Sequence, residues 1–206
     1  MNVGCVILAG GKSSRMGTDK ALLEYEGKQF IEQIAKELTS FEERIIARGT
    51  NSRFSDSIEE DWNVIPDIYP DHGPIGGLHA ALSACRSDAL FVVTCDMPLF
   101  SKSLAERLCA EIQNGEGSET NSDGEIVDAY DVIISVGDNG KIHPLCGVYR
   151  KSALSVLEEQ IVSDRNRVME ALKKLRVKYV TIDSPDQVKQ LANINTPEEY
   201  ETLKHL

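Results

Sequence analysis

The chain has no apolar run long enough for a membrane. Its N-terminal stretch, residues 3–9, is interrupted at once by Gly10 and Lys12, whereas a spanning helix needs about 20 apolar residues. That stretch also lacks the basic flank and cleavage site of a secretory leader, so a cytoplasmic protein with no membrane partner is expected. Paired cysteines are missing too. The five present, Cys5, Cys85, Cys95, Cys109 and Cys146, are odd in number, scattered and without a CxxC spacing. They indicate neither a zinc site nor a disulfide framework, and buried, reduced thiols are expected. Positive charge is scarce. Lys and Arg total 22 against 33 Asp and Glu, a net charge of −11, which repels duplex nucleic acid at long range. No nucleic-acid partner is expected, and any small polyanion must be held by a local cluster of cations and donors.

Familiar nucleotide signatures are absent as well. A Walker loop ending in Gly11-Lys12-Ser13 would need its first glycine at position 6, which is Val6. The dinucleotide pattern G-x-G-x-x-G fails because Gly10 and Gly11 are adjacent and Gly17 is too distant. A calcium loop beginning at Glu119 fails at its twelfth position, where Tyr130 replaces the bidentate Glu.

What is present is an alternation of apolar strands and amphipathic helices. Residues 3–8, 44–47, 63–65 and 89–94 read as strands, and 30–38, 77–85 and 101–112 as helices, the last capped by Ser101. Residues 113–128 read as a mobile surface loop. Beyond it, 132–136 and 145–149 flank the turn GDNGK as an antiparallel hairpin. Helices near 151–161 and 168–175, a strand at 177–182 and a helix beginning at Thr196-Pro197 complete the pattern; Glu199 supplies the capping-box acid. The rhythm predicts a mostly parallel sheet covered on both faces, with a hairpin added. The 41% apolar content can supply a sizeable core. No repeat or linker divides residues 1–206, which are read as a single domain.

Chemistry concentrates at the strand ends. After the first strand, Leu8, Ala9, Gly10 and Gly11 lead into a loop bearing Lys12, Arg15 and Lys20. Glycines there let backbone N–H groups approach an anion, and Arg15 and Lys20 can neutralise a triphosphate. A glycine turn among solvated cations would look the same in isolation, but the pattern recurs. Asp67 closes the third strand before IYPDHGPIGGL, which carries Gly73, Gly76 and Gly77, and Asp96 follows the fourth strand in TCDMP. A lone Asp in that place either caps a helix or holds magnesium whose shell phosphates complete.

The blocks LAGGKSSRMGTDKALL, DHGPIGGL, CDMP, HPLCGVY and NINTPEE, in this order, resemble the molybdenum cofactor guanylyltransferases. The resemblance runs from Val3 to about Tyr200, and related cytidylyltransferases share the first block more loosely. It implies a Rossmann-like three-layer α/β/α sandwich and a single nucleotidyltransferase domain. The implied reaction moves GMP from GTP to the terminal phosphate of molybdopterin or its molybdenum-loaded form, releasing pyrophosphate. Leu8, Ala9, Gly10, Gly11, Asp67, Gly73 and Gly77 then belong to the nucleotide side, with Lys20 on its phosphates. Asp96 would bind both the nucleotide and Mg2+, and Arg15, Lys20 and Asp96 would be catalytic. Arg167, Asn193 and Asn195 match the pterin side. His143 is either a pterin or phosphate contact or the end of a hairpin strand. Where the family often has Asn after the second strand, this chain reads IIARGTN, with Arg48 aligned and Asn51 three residues on. Transient contact with pterin-delivering or molybdoenzyme partners is also implied. The competing readings are a cytidylyl- or sugar-phosphate nucleotidyltransferase on the same loops, and a nucleotide-binding regulator without catalysis.

Overall fold

A computed structural model describes residues 1–10, 19–49, 54–113, 119–120, 126–127 and 130–205. In chain order the strands are β1 (Val3–Leu8), β2 (Glu24–Tyr25), β3 (Lys28–Gln29), β4 (Arg44–Ala47), β5 (Asn63–Ile65), β6 (Ala89–Thr94), β7 (Glu119–Thr120), β8 (Ile126–Val127), β9 (Val132–Gly137), β10 (Ile142–Arg150) and β11 (Val177–Ile182). The α-helices are α1 (Phe30–Glu37), α2 (Asp56–Asp61), α3 (Pro74–Ala84), α4 (Lys102–Gln113), α5 (Leu154–Val162), α6 (Val168–Leu172), α7 (Pro185–Gln190) and α8 (Pro197–Leu203).

Seven strands form one sheet in the order β11-β9-β10-β6-β1-β4-β5. Every neighbouring pair is parallel except those made by β10, which runs antiparallel to both β6 and β9. The antiparallel β10 of the hairpin therefore sits inside the sheet, between β6 and β9, and β9 and β11 continue the sheet beyond it. Strand alternation sends Cys5, Ile7, Phe91 and Val93 to one face and Val6, Leu8, Leu90 and Val92 to the other. The first face is covered by α1 and α4 through Ile31, Ile34, Leu104 and Leu108. The second is covered by α3, α5 and α6 through Ile75, Leu78, Leu157 and Leu172. This is the expected three-layer α/β/α arrangement. A smaller cluster of Phe30, Ile194 and Leu203 ties α8 and the segment before it to the start of α1.

Several details differ from the sequence expectations. Helix α3 begins at Pro74, three residues before the expected 77, because Gly73 turns the chain with a φ of 64° and Pro74 supplies a pre-set first helical residue. Ser101 stands directly before α4 as expected, but its Oγ pairs with Ser103 Oγ and Gln190 Oε1, while Glu37 accepts from Lys102 N–H. Most of the expected loop at 113–128 lies outside the described residues; within it, β7 and β8 form a short antiparallel ladder. Helices α2 and α7 and the ribbon β2-β3 were not expected. Ser184-Pro185, a cap residue before an N1 proline, was the available signal for α7. The five cysteines are buried as expected, and burial pushes the thiols of Cys109 and Cys146 up to about 12. Among the described residues no helix is long and apolar enough to cross a membrane.

Candidate active site

The site is built from backbone that continues past the carboxyl ends of β1, β4 and β6. Ala9 N–H donates to Ala47 O at 2.8 Å, Cys95 N–H to Leu8 O at 3.1 Å and Arg48 N–H to Ile65 O at 3.1 Å. These bonds carry the sheet order one residue into each loop, so the loops leave from fixed points. Gly10 lies against the β4 loop, where a Cβ would stand 2.9 Å from Gly49 N. No other residue type fits without moving backbone.

On the β5 side, Asp67 faces the first turns of α3. A Cβ on Gly77 would be 3.4 Å from both Asp67 Oδ1 and the Ala47 side chain, and 3.5 Å from Leu8. Asp67 Oδ1 is buried and has no hydrogen-bond partner. Burial raises the pKa of this carboxyl, and the Gly49 N–H offsets only part of that effect. A buried acceptor without a donor costs stability, so the position suits a ligand hydroxyl or N–H.

Asp96 follows β6 and is held on both oxygens. Oδ1 accepts from Thr94 Oγ1 at 2.6 Å and from Asn193 Nδ2 at 2.8 Å. Oδ2 accepts from Lys20 Nζ at 3.2 Å, and the same ammonium donates to Asn195 Oδ1 at 2.7 Å. The NIN segment is docked by its backbone as well, since Ile194 N–H donates to Asp96 O at 2.8 Å. Asn195 N–H in turn donates to Glu199 Oε2 at 2.6 Å, within the capping box that starts α8. Thus a local helix-start motif near the C-terminus fixes two amides beside a carboxylate about a hundred residues earlier.

The opposite wall comes from β10. Its pairing with β9 breaks between His143 and Gly147, where Pro144 lacks the N–H a regular ladder needs. Ser135 Oγ donates to Cys146 O at 2.8 Å and Tyr149 OH donates to Pro144 O, satisfying the bulged carbonyls. His143 is buried here; desolvation lowers its pKa and Lys141 adds to that, while the Asn193 side chain acts in the opposite direction. The ring is therefore held toward its neutral form.

A cavity of about 420 Å³ lies between these walls. It brings together Leu8, Ala9, Gly10, Lys20, Asp96, His143, Asn193 and Asn195. Asp67, Gly73 and Gly77 are not among its lining residues; Gly77 packs against Leu8 and Asp67, and Gly73 precedes Pro74, which lines the cavity. Arg167 is not brought there: the buried face of α6 carries Val168, Ala171 and Leu172, which leaves Arg167 exposed at the helix start. Gly11, Lys12, Arg15 and Asn51 lie outside the described residues. Asp71 and His72 form a turn, with Asp71 at a φ of 66° and His72 Nδ1 2.8 Å from Pro70 O. Sequence reasoning missed Thr94, Asp19 and Lys141, which also line the cavity. Thr94 had a signal, since residues two apart on an extended segment share a face and Asp96 follows at that spacing.

The MobA-like NTP transferase domain matches residues 5–179 of the chain. The chain belongs to that family. Its relatives include a probable molybdenum cofactor guanylyltransferase of Clostridium perfringens, 34% identical over 204 residues, covering 96% of this chain and 93% of that protein. Another of the same name from Carboxydothermus hydrogenoformans is 31% identical over 206 residues, covering 98% and 95%. The crystal structure of molybdopterin-guanine dinucleotide biosynthesis protein A from Archaeoglobus fulgidus superposes with a TM-score of 0.77, covering 100% of this chain and 97% of that one at 24% identity. The fold reaches further, to a 2-C-methyl-D-erythritol 4-phosphate cytidylyltransferase from Thermus thermophilus at a TM-score of 0.68 and 12% identity, covering 100% and 98%.

For an NTP transferase of this family the donor set around Asp96 is informative. Among the described residues no group of three or more His, Cys, Asp or Glu could hold a metal by itself. Magnesium commonly binds through one or two carboxylates and completes its shell with water and substrate phosphates. Asp96 fits that role, because Thr94 and Asn193 fix Oδ1, while Oδ2 meets the Lys20 ammonium, and both Asp96 and Lys20 line the cavity.

Proposed function

We propose that this chain transfers GMP from GTP to the terminal phosphate of molybdopterin, or of the molybdenum-loaded cofactor, and releases pyrophosphate. The observation that carries this reading is the Lys20–Asp96–Asn195 cluster on the wall of the cavity, in a chain whose relatives, matched over nearly their whole length, bear the name of that activity. A phosphate oxygen of the acceptor attacks the α-phosphorus of GTP, a new P–O bond forms, and the bond to the β-phosphate oxygen breaks with its electron pair leaving on pyrophosphate. The nucleophile is anionic near neutral pH, so the chain need supply no general base. Its task is to position two polyanions and offset their repulsion.

Leu8, Ala9 and Gly10 would seat the nucleotide, and the unpartnered oxygen of Asp67 would accept from it. Lys20 would stabilise charge on the leaving pyrophosphate, a role the resemblance also gives to Arg15. Bound at Asp96, Mg2+ would screen the phosphates electrostatically. His143 and Lys141 line the cavity from the β10 side and, with Asn193 from the segment before α8, would hold the acceptor phosphate and pterin. The test is pyrophosphate release with Mg2+ and molybdopterin, offering GTP, CTP, ATP and UTP in parallel. Release with GTP alone supports the proposal. Release with CTP alone would move the chain to the cytidylyl chemistry its fold also carries, and none with any nucleotide would leave a binding protein.

A further inference from the structure

We propose that Lys20 closes the divalent-cation position at Asp96 until a polyphosphate draws it away. This rests on the nucleotidyl-transfer reading above, and concerns how the chain's own residues order metal and nucleotide. Asp96 Oδ1 is committed to Thr94 and Asn193. The remaining oxygen is met by Lys20 Nζ, which also bonds Asn195 Oδ1. An ammonium chelated by a carboxylate oxygen and an amide oxygen occupies the place a hard cation would take, since such cations choose the same oxygen ligands. Both side chains of the pair are mostly buried, 18% and 16% exposed, so water screens little of the repulsion a dication would meet from that ammonium.

The local charge balance points the same way. Asp19 also lines the cavity, and Asp96, Asp19 and Lys20 all act electrostatically on the buried Cys95 thiol. With Lys141 also on the lining, two carboxylates against two ammoniums leave no net charge, a weak field for a dication. Without the Lys20 ammonium the same walls carry one net negative charge. A triphosphate supplies anionic oxygens that compete with Asp96 for Lys20, and it brings ligands for the metal as Lys20 departs. Metal and nucleotide then each raise the affinity of the other, by the reciprocity of linked binding. The free protein is kept from holding a bare divalent ion.

The experiment titrates Mn2+ alone into nucleotide-free protein and reads free Mn2+ by electron paramagnetic resonance. Wild-type protein and Lys20→Arg are expected to bind weakly, whereas Lys20→Met binds at least roughly tenfold tighter, within the usual span of a coupling between two ligands. The double variant Lys20→Met/Asp96→Asn should lose the gain. Equal Mn2+ affinity in wild type and Lys20→Met overturns the proposal, as does a gain that survives in the double variant. If Lys20→Met does not melt cooperatively, Lys20→Gln, which keeps a donor but no charge, is read by the same criteria. No nucleotide enters this titration. Its failure therefore differs from failure of the functional reading, which would appear as no pyrophosphate release.

Discussion

Thr94→Val removes one hydroxyl and almost nothing else. The β-branched shape stays, so the end of β6 keeps its strand preference and its packing. What is lost is the 2.6 Å bond from Thr94 Oγ1 to Asp96 Oδ1. A hydrogen bond to a charged group contributes about 1.5–3 kcal/mol. Asn193 still donates to the same oxygen at 2.8 Å, so the carboxylate is not stranded and the lower end of that range applies. A loss of about 1.4 kcal/mol of transition-state positioning is a tenfold fall in rate. The expected result is kcat reduced about tenfold, with KM for GTP little changed, because Leu8, Ala9, Gly10 and Asp67 are untouched. Adding Asn193→Ala should cost more than the two single losses combined, since only the double variant leaves Oδ1 without a donor. Steady-state pyrophosphate release at varied GTP gives the split between kcat and KM, and a thermal melt reports stability. Wild-type kcat in Thr94→Val would refute the assignment of Thr94 as a positioning residue, and an equal fall in stability and rate would reduce it to a structural bond.

Lys20→Ala and Asp96→Ala should each lower turnover by about 10²–10³, the usual cost of losing one preorganised charge-stabilising group, with far-UV circular dichroism unchanged. Asp67→Asn should weaken GTP binding measured by calorimetry, because an amide placed where an acceptor has no donor can offer its own N–H in place of an oxygen. Gly147→Ala should destabilise by about 3 kcal/mol in urea unfolding, since a Cβ there would press into Ile133 O across the β9-β10 ladder. Burial would raise the Asp131 carboxyl, but hydrogen bonds and charge from Arg176 and a bond from Ser152 outweigh it and hold the pKa at about 2. A depressed acid stabilises the fold above its unfolded pKa and loses that contribution as pH falls through the folded value. About 2 kcal/mol should therefore vanish between roughly pH 4 and 2, and Arg176→Met should flatten that part of the curve.

Most of the sheet was legible because its strands obey local rules. The 89–94 run ALFVVT is apolar up to its last residue since both faces of β6 are covered, and the expected boundaries of β1, β4, β5, β6 and β11 coincide with those observed. The hairpin was legible from its turn, but the placement of its β10 arm between β6 and β9 was not. That placement depends on pairing across the sheet, about which a turn sequence says nothing. Helix α2 escaped notice because it buries little more than Ile58, flanked by Phe54 and Trp62, too few points for a period to show.

The site divides along the same line. Asp67 and Asp96 were visible as lone carboxylates after apolar strands, a local signal. Asn193 and Asn195 were not chemically legible, and they entered only through the resemblance of NINTPEE. The structure supplies the missing reason. Thr196, Pro197 and Glu199 start a helix by local capping chemistry, Glu199 reaches back to Asn195 N–H, and Ile194 is pinned in a cluster with Phe30 and Leu203. The helix start is thus a mount for the two amides, and Ile194 N–H on Asp96 O sets their register against β6. One consequence separates mount from chemistry. Glu199→Ala touches no cavity-lining side chain, yet it should slacken Asn195 and with it the Lys20 contact, lowering kcat several-fold. Thr196→Ser, which keeps the capping oxygen, should leave the rate unchanged.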